Sequence, residues 1–299
     1  MTRPSRSFSS AVLFLSLAVF LTLPAHAEEK SIVLTEDVEL KIADTFMAEG
    51  EYYRAITEYK KFLILFPDSE RADYALFKMG NAYYKGEEYA SAARTLSSLR
   101  EKYPGSSNAN EAFFLEAFSY WKAKQHKKAR DTFKALVDTQ PESEYAPRAL
   151  AASSLVALDE DNALASRQDL ERFIELYPEH PLLDKVQEAL ALIDQYRDLP
   201  QKSPVLAGVM SAIIPGSGYM YAGHYGDGAT AFLINGLFIA GTVIGINEEN
   251  YPVAAIVGGI GIPFYLGNIY GSANAAKKWN RAAKEEVRAK IHVALSPLL

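Results

Sequence analysis

The amino-acid sequence predicts an all-α chain in two parts, an α-solenoid of helical hairpins followed by a C-terminal α-helical membrane domain. Three observations carry this expectation. Pro67, Pro104, Pro141 and Pro178 recur every 37 residues in similar surroundings. Residues 28–199 hold 32 Asp+Glu and 22 Lys+Arg, whereas residues 204–276 hold only Asp227, Glu248 and Glu249 as charges. That second part consists largely of three uncharged stretches, two of them long enough to cross a bilayer.

The chain opens with a basic start, Arg3 and Arg6, and then an uncharged run from Ala11 to Leu23. Pro24 ends the run, and Ala25-His26-Ala27 precedes acidic Glu28-Glu29. This order predicts a secretory signal peptide over 1–27. The alternative is an uncleaved anchor, but the apolar core of 13 residues falls short of the about 20 that a spanning helix needs. On either reading residues 28 onward leave the cytoplasm. The chain has no cysteine. This excludes disulfides, thiolate nucleophiles and Cys-based metal sites, and with them the cysteine that a bacterial lipoprotein anchor requires.

The repeat extends beyond the prolines. Ala43, Gly80, Ala117 and Ser154 stand 24 residues before each proline, and Ala55, Ala92, Ala129 and Ser166 stand 12 before. Tyr59, Leu96, Phe133 and Leu170 stand 8 before, and Phe62, Leu99, Leu136 and Phe173 stand 5 before. Small residues at two fixed positions allow two helices to cross closely. Phe46, Tyr83 and Tyr120, three residues beyond the first small position, place an aromatic ring on the same helix face. Gly50 and Gly86 are expected in the inter-helix turn, where a positive φ costs glycine least. Each proline ends the second helix, and the Ser, Asn or Asp residues after it are expected to cap the next one. The predicted hairpins cover about 36–69, 73–106, 110–143 and 147–180, with a closing amphipathic helix over 182–196 carrying Leu183, Val186, Leu190 and Ile193.

This layout resembles the tetratricopeptide repeat in a 37-residue form. Similar Phe/Tyr-Pro-x-Ser joints occur in the periplasmic tetratricopeptide lipoprotein of the β-barrel assembly machinery and in the coordinator of the Tol-Pal system. The resemblance covers about 36–196. The fourth repeat departs from it, with Ala157 in place of the aromatic, Ala163 in place of Tyr52 and Tyr89, and Ser166 in place of alanine. Terminal repeats of a stack are commonly atypical.

A curved solenoid has a concave face lined by its first helices. Phe77, Tyr84, Phe113, Phe114, Phe118 and Trp121 are the candidates for a groove that receives a peptide or partner helix. For any single one of them packing between hairpins is the favoured reading; it is as a group that they suggest a groove. Lys122, Lys124, Lys127, Lys128 and Arg130 form a basic cluster, which on a helix surface is ordinarily solvated. A formal net charge of −6 speaks against nucleic acid as a partner.

Residues 197–204, with two prolines, end the repeat domain that occupies 28–199. The uncharged stretches Val205–Tyr221, Ala229–Ile246 and Pro252–Ala276 follow, making a membrane domain over 204–276. The first is interrupted at Pro215-Gly216-Ser217-Gly218. Pro215, Gly216, Gly218, Tyr221 and Gly223 are read as a membrane turn with interfacial tyrosines. The glycines do not follow nucleotide-loop spacing, and no P-loop lysine accompanies them. The P-G-x-G-x-x-Y-x-G pattern is similar to small bacterial membrane modules in which such a turn precedes a two-helix hairpin. Gly241 and Gly245 invite close helix packing, either within that hairpin or in self-association. The tail over 277–299 carries Lys277, Lys278, Arg281, Lys284, Arg288 and Lys290. Three crossings would put it in the cytoplasm; two would leave it on the side of the repeats, where anionic lipid could meet it.

No nucleophile elbow, zincin or phosphate-loop pattern is present, and the five histidines lack a metal-site spacing. The expectation is therefore no catalysis, no cofactor and no metal. The resemblance implies a non-catalytic interaction scaffold of the bacterial envelope. Its periplasmic repeats would bind envelope proteins or peptides, and residues 205–276 would hold them to the inner membrane. The alternative is a membrane-protein insertion helper, or a small membrane subunit, whose C-terminal helices do the work.

Overall fold

The computed structural model describes residues 33–299, so the signal peptide expected over 1–27 lies outside the described residues. Among those residues every regular element is helical. The helices α1 (Glu36–Ala48) and α2 (Tyr52–Leu65), α3 (Ala72–Lys85) and α4 (Tyr89–Lys102), α5 (Ala109–Lys122) and α6 (His126–Thr139), and α7 (Tyr145–Asp159) and α8 (Ala163–Leu176) form four hairpins. Each helix packs on the next, and α9 (Leu183–Arg197) closes the array against α8.

The repeated positions build the core. Tyr59, Phe62, Leu96, Leu99, Phe133, Leu136, Leu170 and Phe173 are all fully buried. Burying a side chain of this size stabilises the fold by about 1.5–3 kcal/mol, which places most of the stability in one period-wide stripe. The small pairs Ala43/Ala55 and Ala117/Ala129 are also fully buried, where the first helix of a hairpin crosses the second. A Cβ added to Gly80 would lie 2.6 Å from Leu96. In the fourth hairpin the pair becomes Ser154 and Ser166, whose hydroxyls bond each other at 3.0 Å. Hydrogen bonding offsets the desolvation that each buried hydroxyl would otherwise suffer.

Two expectations about local geometry are corrected. Positive φ occurs at Gly50, Glu87, Lys124 and Asp161, one residue per turn at the 37-residue period, and not at Gly86. Gly86 has φ −79; a Cβ there would meet the Ala82 carbonyl at 3.2 Å and Tyr52 Cβ at 3.5 Å, so close approach is what favours glycine. The residues after each proline do not act as side-chain N-caps of the next helix: Arg71 and Asn108 head α3 and α5 without a capping bond. Instead Ser69 and Ser106 accept from the backbone N–H two residues on. They also donate back one repeat, to Glu36 at 2.8 Å and Asp73 at 2.6 Å. In the fourth repeat His180 Nδ1 takes over the acceptor role toward Leu182 N.

Beyond α9 come α10 (Pro204–Ile213), α11 (Ser217–Tyr221), α12 (Tyr225–Asn247), α13 (Tyr251–Leu295) and a final 3-10 turn, Ser296–Leu298. At 1.5 Å per residue, α10 reaches only about 15 Å and α12 about 35 Å. The start of α10 is held to the middle of α13 by the backbone of Lys202, which exchanges two hydrogen bonds with Asn280. Its end meets Tyr265, which donates to the Ala212 carbonyl. The chain then turns at Gly216, and α11 returns until Tyr221 OH accepts from Ser203 N at 3.0 Å. Thus α11 folds back on α10, and the first apolar stretch is two short helices rather than one long one.

The helices α12 and α13 pair as a long antiparallel hairpin, and both are long and apolar enough to cross a membrane. A Cβ on Gly245 would meet Ala254 at 3.1 Å, and one on Gly261 would meet Phe238 at 2.8 Å. Gly241 and Gly258 likewise face Val257 and Thr242 across the hairpin. The boundary expected at 276/277 falls inside α13, which continues unbroken to Leu295 and packs its last turns on α9 and α7.

Candidate functional site

The inner face of the solenoid is built by α1, α3, α5, α7 and α9. One repeat position runs along it: Asp37, Tyr74, Glu111 and Arg148 lie 37 residues apart. Asp37 and Tyr74 line an open recess with Asp44 at the first hairpin. Glu111 and Arg148 line a cleft of about 200 Å³ with Tyr84, Phe114, Phe118, Tyr145 and Leu299.

Of the six aromatic candidates, four lie at this cleft or beside it. Phe114 lies within 6 Å of both Phe133 and Tyr145, and the Arg148 guanidinium sits 4.7 Å above its ring. Phe118 meets Trp121 edge-on, at 5.0 Å. Trp121 donates from Nε1 to Asp159 at 2.7 Å and stacks on His292 of α13. Tyr84 borders the far end. Phe77 and Phe113 do not reach the groove: Phe77 is buried between the first two hairpins, and Phe113 is buried under the Arg100 guanidinium at 4.1 Å. The basic cluster near the third turn remains on the surface, apart from Arg130, which pairs with Asp169 at 3.2 Å.

The groove is already filled in part. Val287, Ile291, Ala294, Leu295 and Leu298 are buried in the same apolar cluster as Phe114, Leu150, Val186 and Ile193. Polar contacts fix the register. Lys284 Nζ reaches Asp161 at 2.6 Å, and Arg288 donates to Tyr196 OH at 3.1 Å, which itself donates to Asp161 at 2.5 Å. Arg148 donates to the Leu298 carbonyl at 3.3 Å and to Leu299 O at 2.5 Å. These are terminal-turn oxygens with no partner of their own inside the helix. The hydrogen bonds from Lys284 and Tyr196 hold the Asp161 carboxyl below its ordinary range. Burial pushes His292 below its usual value. The last turns of α13 are therefore packed on the repeats.

Sequence reasoning missed Glu111, Tyr145, Arg148, Asp159, Asp161 and Tyr196. The period could have supplied the first and third, since they continue the Asp37–Tyr74 row.

Pro215 and Gly216 make the turn between α10 and α11. Gly216 has φ +84, and a Cβ there would fall 2.0 Å from the Gly228 carbonyl oxygen. A Cβ on Gly218 would fall 1.9 Å from the Ala207 carbonyl oxygen. Gly216 N donates to Asn268, and Gly218 N to Ser211, whose hydroxyl also bonds Ser272. Gly223 carries φ +88 beside Lys202 and Trp279. No cluster of metal-ligating side chains occurs among the described residues.

Hairpins of this length, crossing and period define a tetratricopeptide-type repeat protein. The family described as "YfiO: Outer membrane lipoprotein" matches residues 36–160, the first three hairpins and α7. Among solved structures the chain is similar to a tetratricopeptide repeat protein from Parabacteroides merdae ATCC 43184, at 13% identity and TM-score 0.44, covering 80% of this chain and 98% of that one. It is also similar to the apo form of RapI, at 11% identity and TM-score 0.44, covering 84% and 88%. No curated protein matches it in sequence.

Proposed function

We propose that the chain is a non-catalytic protein-interaction scaffold of the bacterial cell envelope, exported and tethered to the inner membrane by α12 and α13. The observation that carries this reading is α13 itself. One helix runs from an apolar hairpin into the inner face of an aromatic-lined repeat array. The match of 36–160 to an outer-membrane lipoprotein family supports the envelope address. The tether differs in kind, since a chain without cysteine cannot carry a lipid at that residue. Two crossings suit the tail's position, and the exposed Lys277, Lys278 and Arg281 would then lie near lipid headgroups on the side of the repeats. Lys202 stacked 4.3 Å from the Trp279 ring marks the same level.

The test is photo-crosslinking of the intact protein in its native envelope from Tyr84 and Phe118, with captured proteins identified by mass spectrometry. A defined envelope protein captured at these positions supports the scaffold. A second reading makes the C-terminal helices the working part. Its motive is the Asn235 side-chain oxygen, buried between α12 and α13 without a partner. The same experiment with crosslinkers also placed within 205–276 separates the two: capture from there, with none from Tyr84 or Phe118, would favour the second reading and remove the first.

A further inference from the structure

The last sixteen residues have the form of a ligand. Val287, Ile291, Ala294, Leu295 and Leu298 follow helical spacing and are all buried, while Glu285, Glu286, Lys290 and Val293 face solvent. The segment lies along the inner face and contacts α5, α7, the α7–α8 turn and α9 through Trp121, Arg148, Asp161 and Tyr196. Each contact has a recognisable task. Asp161 and Tyr196 take the cations of the first turn, Trp121 takes a planar side chain in the middle, and Arg148 takes the bare carbonyls of the last turn. The groove is longer than what fills it. Beside Leu299 a cleft of about 200 Å³ stays open between Glu111, Phe118 and Tyr84.

We infer that the inner groove over the third and fourth hairpins is a binding site for a basic amphipathic helix of a partner protein, and that residues 284–299 are its built-in ligand. The inference rests on the scaffold reading and names the chemistry of its partner. Charge complementarity selects the class. The groove offers Asp159, Asp161 and Glu111 around an apolar floor, and its resident offers Lys284 and Arg288 around an apolar stripe. A partner helix of that pattern gains the groove only by displacing the resident. The resident is covalently attached, so its effective concentration is high and the apparent affinity for an outside helix is lowered accordingly. Once displaced, the segment leaves the repeats joined to α12 and α13 through residues 198–203 and the upstream part of α13.

The test uses the full chain in nanodiscs and a fluorescent synthetic peptide of residues 280–299, read by anisotropy. Two variants loosen the resident: Ile291→Glu, and the milder pair Lys284→Ala with Arg288→Ala. Thermal melting checks that each retains folded repeats, and the pair carries the test if Ile291→Glu does not. The expected result is at least tenfold tighter peptide binding by the loosened variants than by the unaltered chain. Adding Trp121→Ala should abolish the gain, and a peptide of the same charge with its apolar stripe scrambled should not bind. Equal affinity for all chains, or no binding by a folded loosened variant, overturns the inference and makes 284–299 a permanent part of the core. The scaffold reading fails separately, when crosslinking from Tyr84 and Phe118 captures no envelope protein.

Discussion

Lys284 Nζ lies 2.6 Å from Oδ2 of Asp161, a residue 123 positions earlier in the chain. The pair joins the C-terminal helix to a turn of the fourth hairpin. Asp161 occupies the positive-φ position of that turn, with φ 58, so its side chain is presented by a conformation that the repeat imposes. The aspartate is more than half exposed, which limits the bond to the usual value of a surface ion pair. Lys284→Ala should cost about 0.5 kcal/mol or less. Its clearer signature is faster amide hydrogen exchange over 284–299, with exchange in α1–α6 unchanged.

Ile291, like Leu295, is fully buried in the docked segment. Ile291→Ala should weaken docking by about 2–4 kcal/mol, from lost transfer energy and the cavity left behind. Limited proteolysis should then cut in 284–299 well before the repeats. Cleavage as slow as in the unaltered chain would mean that the segment contributes little to its own seat.

The docking should weaken in acid. His292 stacks on Trp121, and burial holds its pKa below the ordinary value of 6.5. Asp159 and Glu285 oppose that shift, while Arg288 adds to it. The undocked histidine therefore takes up a proton first. Docking is at full strength above about pH 6.5 and declines as pH falls through that value toward the lower docked one. Proteolytic susceptibility of 284–299 should rise between pH 7.5 and 5.5, and His292→Gln should flatten the profile.

The Ser154–Ser166 bond allows a cycle. Ser166→Ala leaves the Ser154 hydroxyl buried beside a methyl group, at a cost of about 1–2 kcal/mol. The double change to alanine restores the small, apolar crossing seen at Ala43/Ala55 and should melt close to the unaltered chain. A double variant as unstable as the sum of the singles would show that the hydroxyls interact with more than each other.

Gly216→Ala should be the most damaging single methyl beyond α9. The residue needs φ +84, and its new Cβ would overlap the Gly228 carbonyl oxygen. Strain of roughly 1–2 kcal/mol from φ alone is added to a backbone clash that can be relieved only by parting α11 from α12. The expected readout is loss of the α10–α11 pair, measured as exposure of a reporter cysteine at Ala207 to a membrane-impermeant thiol reagent. Gly226→Ala, with nothing within 4 Å of the added carbon, is the neutral control.

The repeat array was legible because each element of its geometry recurs as chemistry at a fixed interval. Proline ends a helix through its own ring, and a small residue marks a close crossing wherever it stands. The apolar lengths of α12 and α13 were legible for the same reason, since they follow from composition. The misplaced positive φ at Gly86 shows the limit: glycine can be required either by φ or by space, and the letter alone does not distinguish them.

Sequence by itself determined the four hairpins, the closing helix and the two long apolar helices. Only the tertiary structure decided that the first apolar stretch turns back at Gly216, and that the basic end of α13 lies in the groove of the repeats. The physical reason is range. A hairpin repeat is stabilised by neighbours within one period. The seat of the docked segment instead depends on residues of α5, α7 and α9, with Trp121 meeting His292 across 171 positions, and a pairing over that distance leaves no periodic trace.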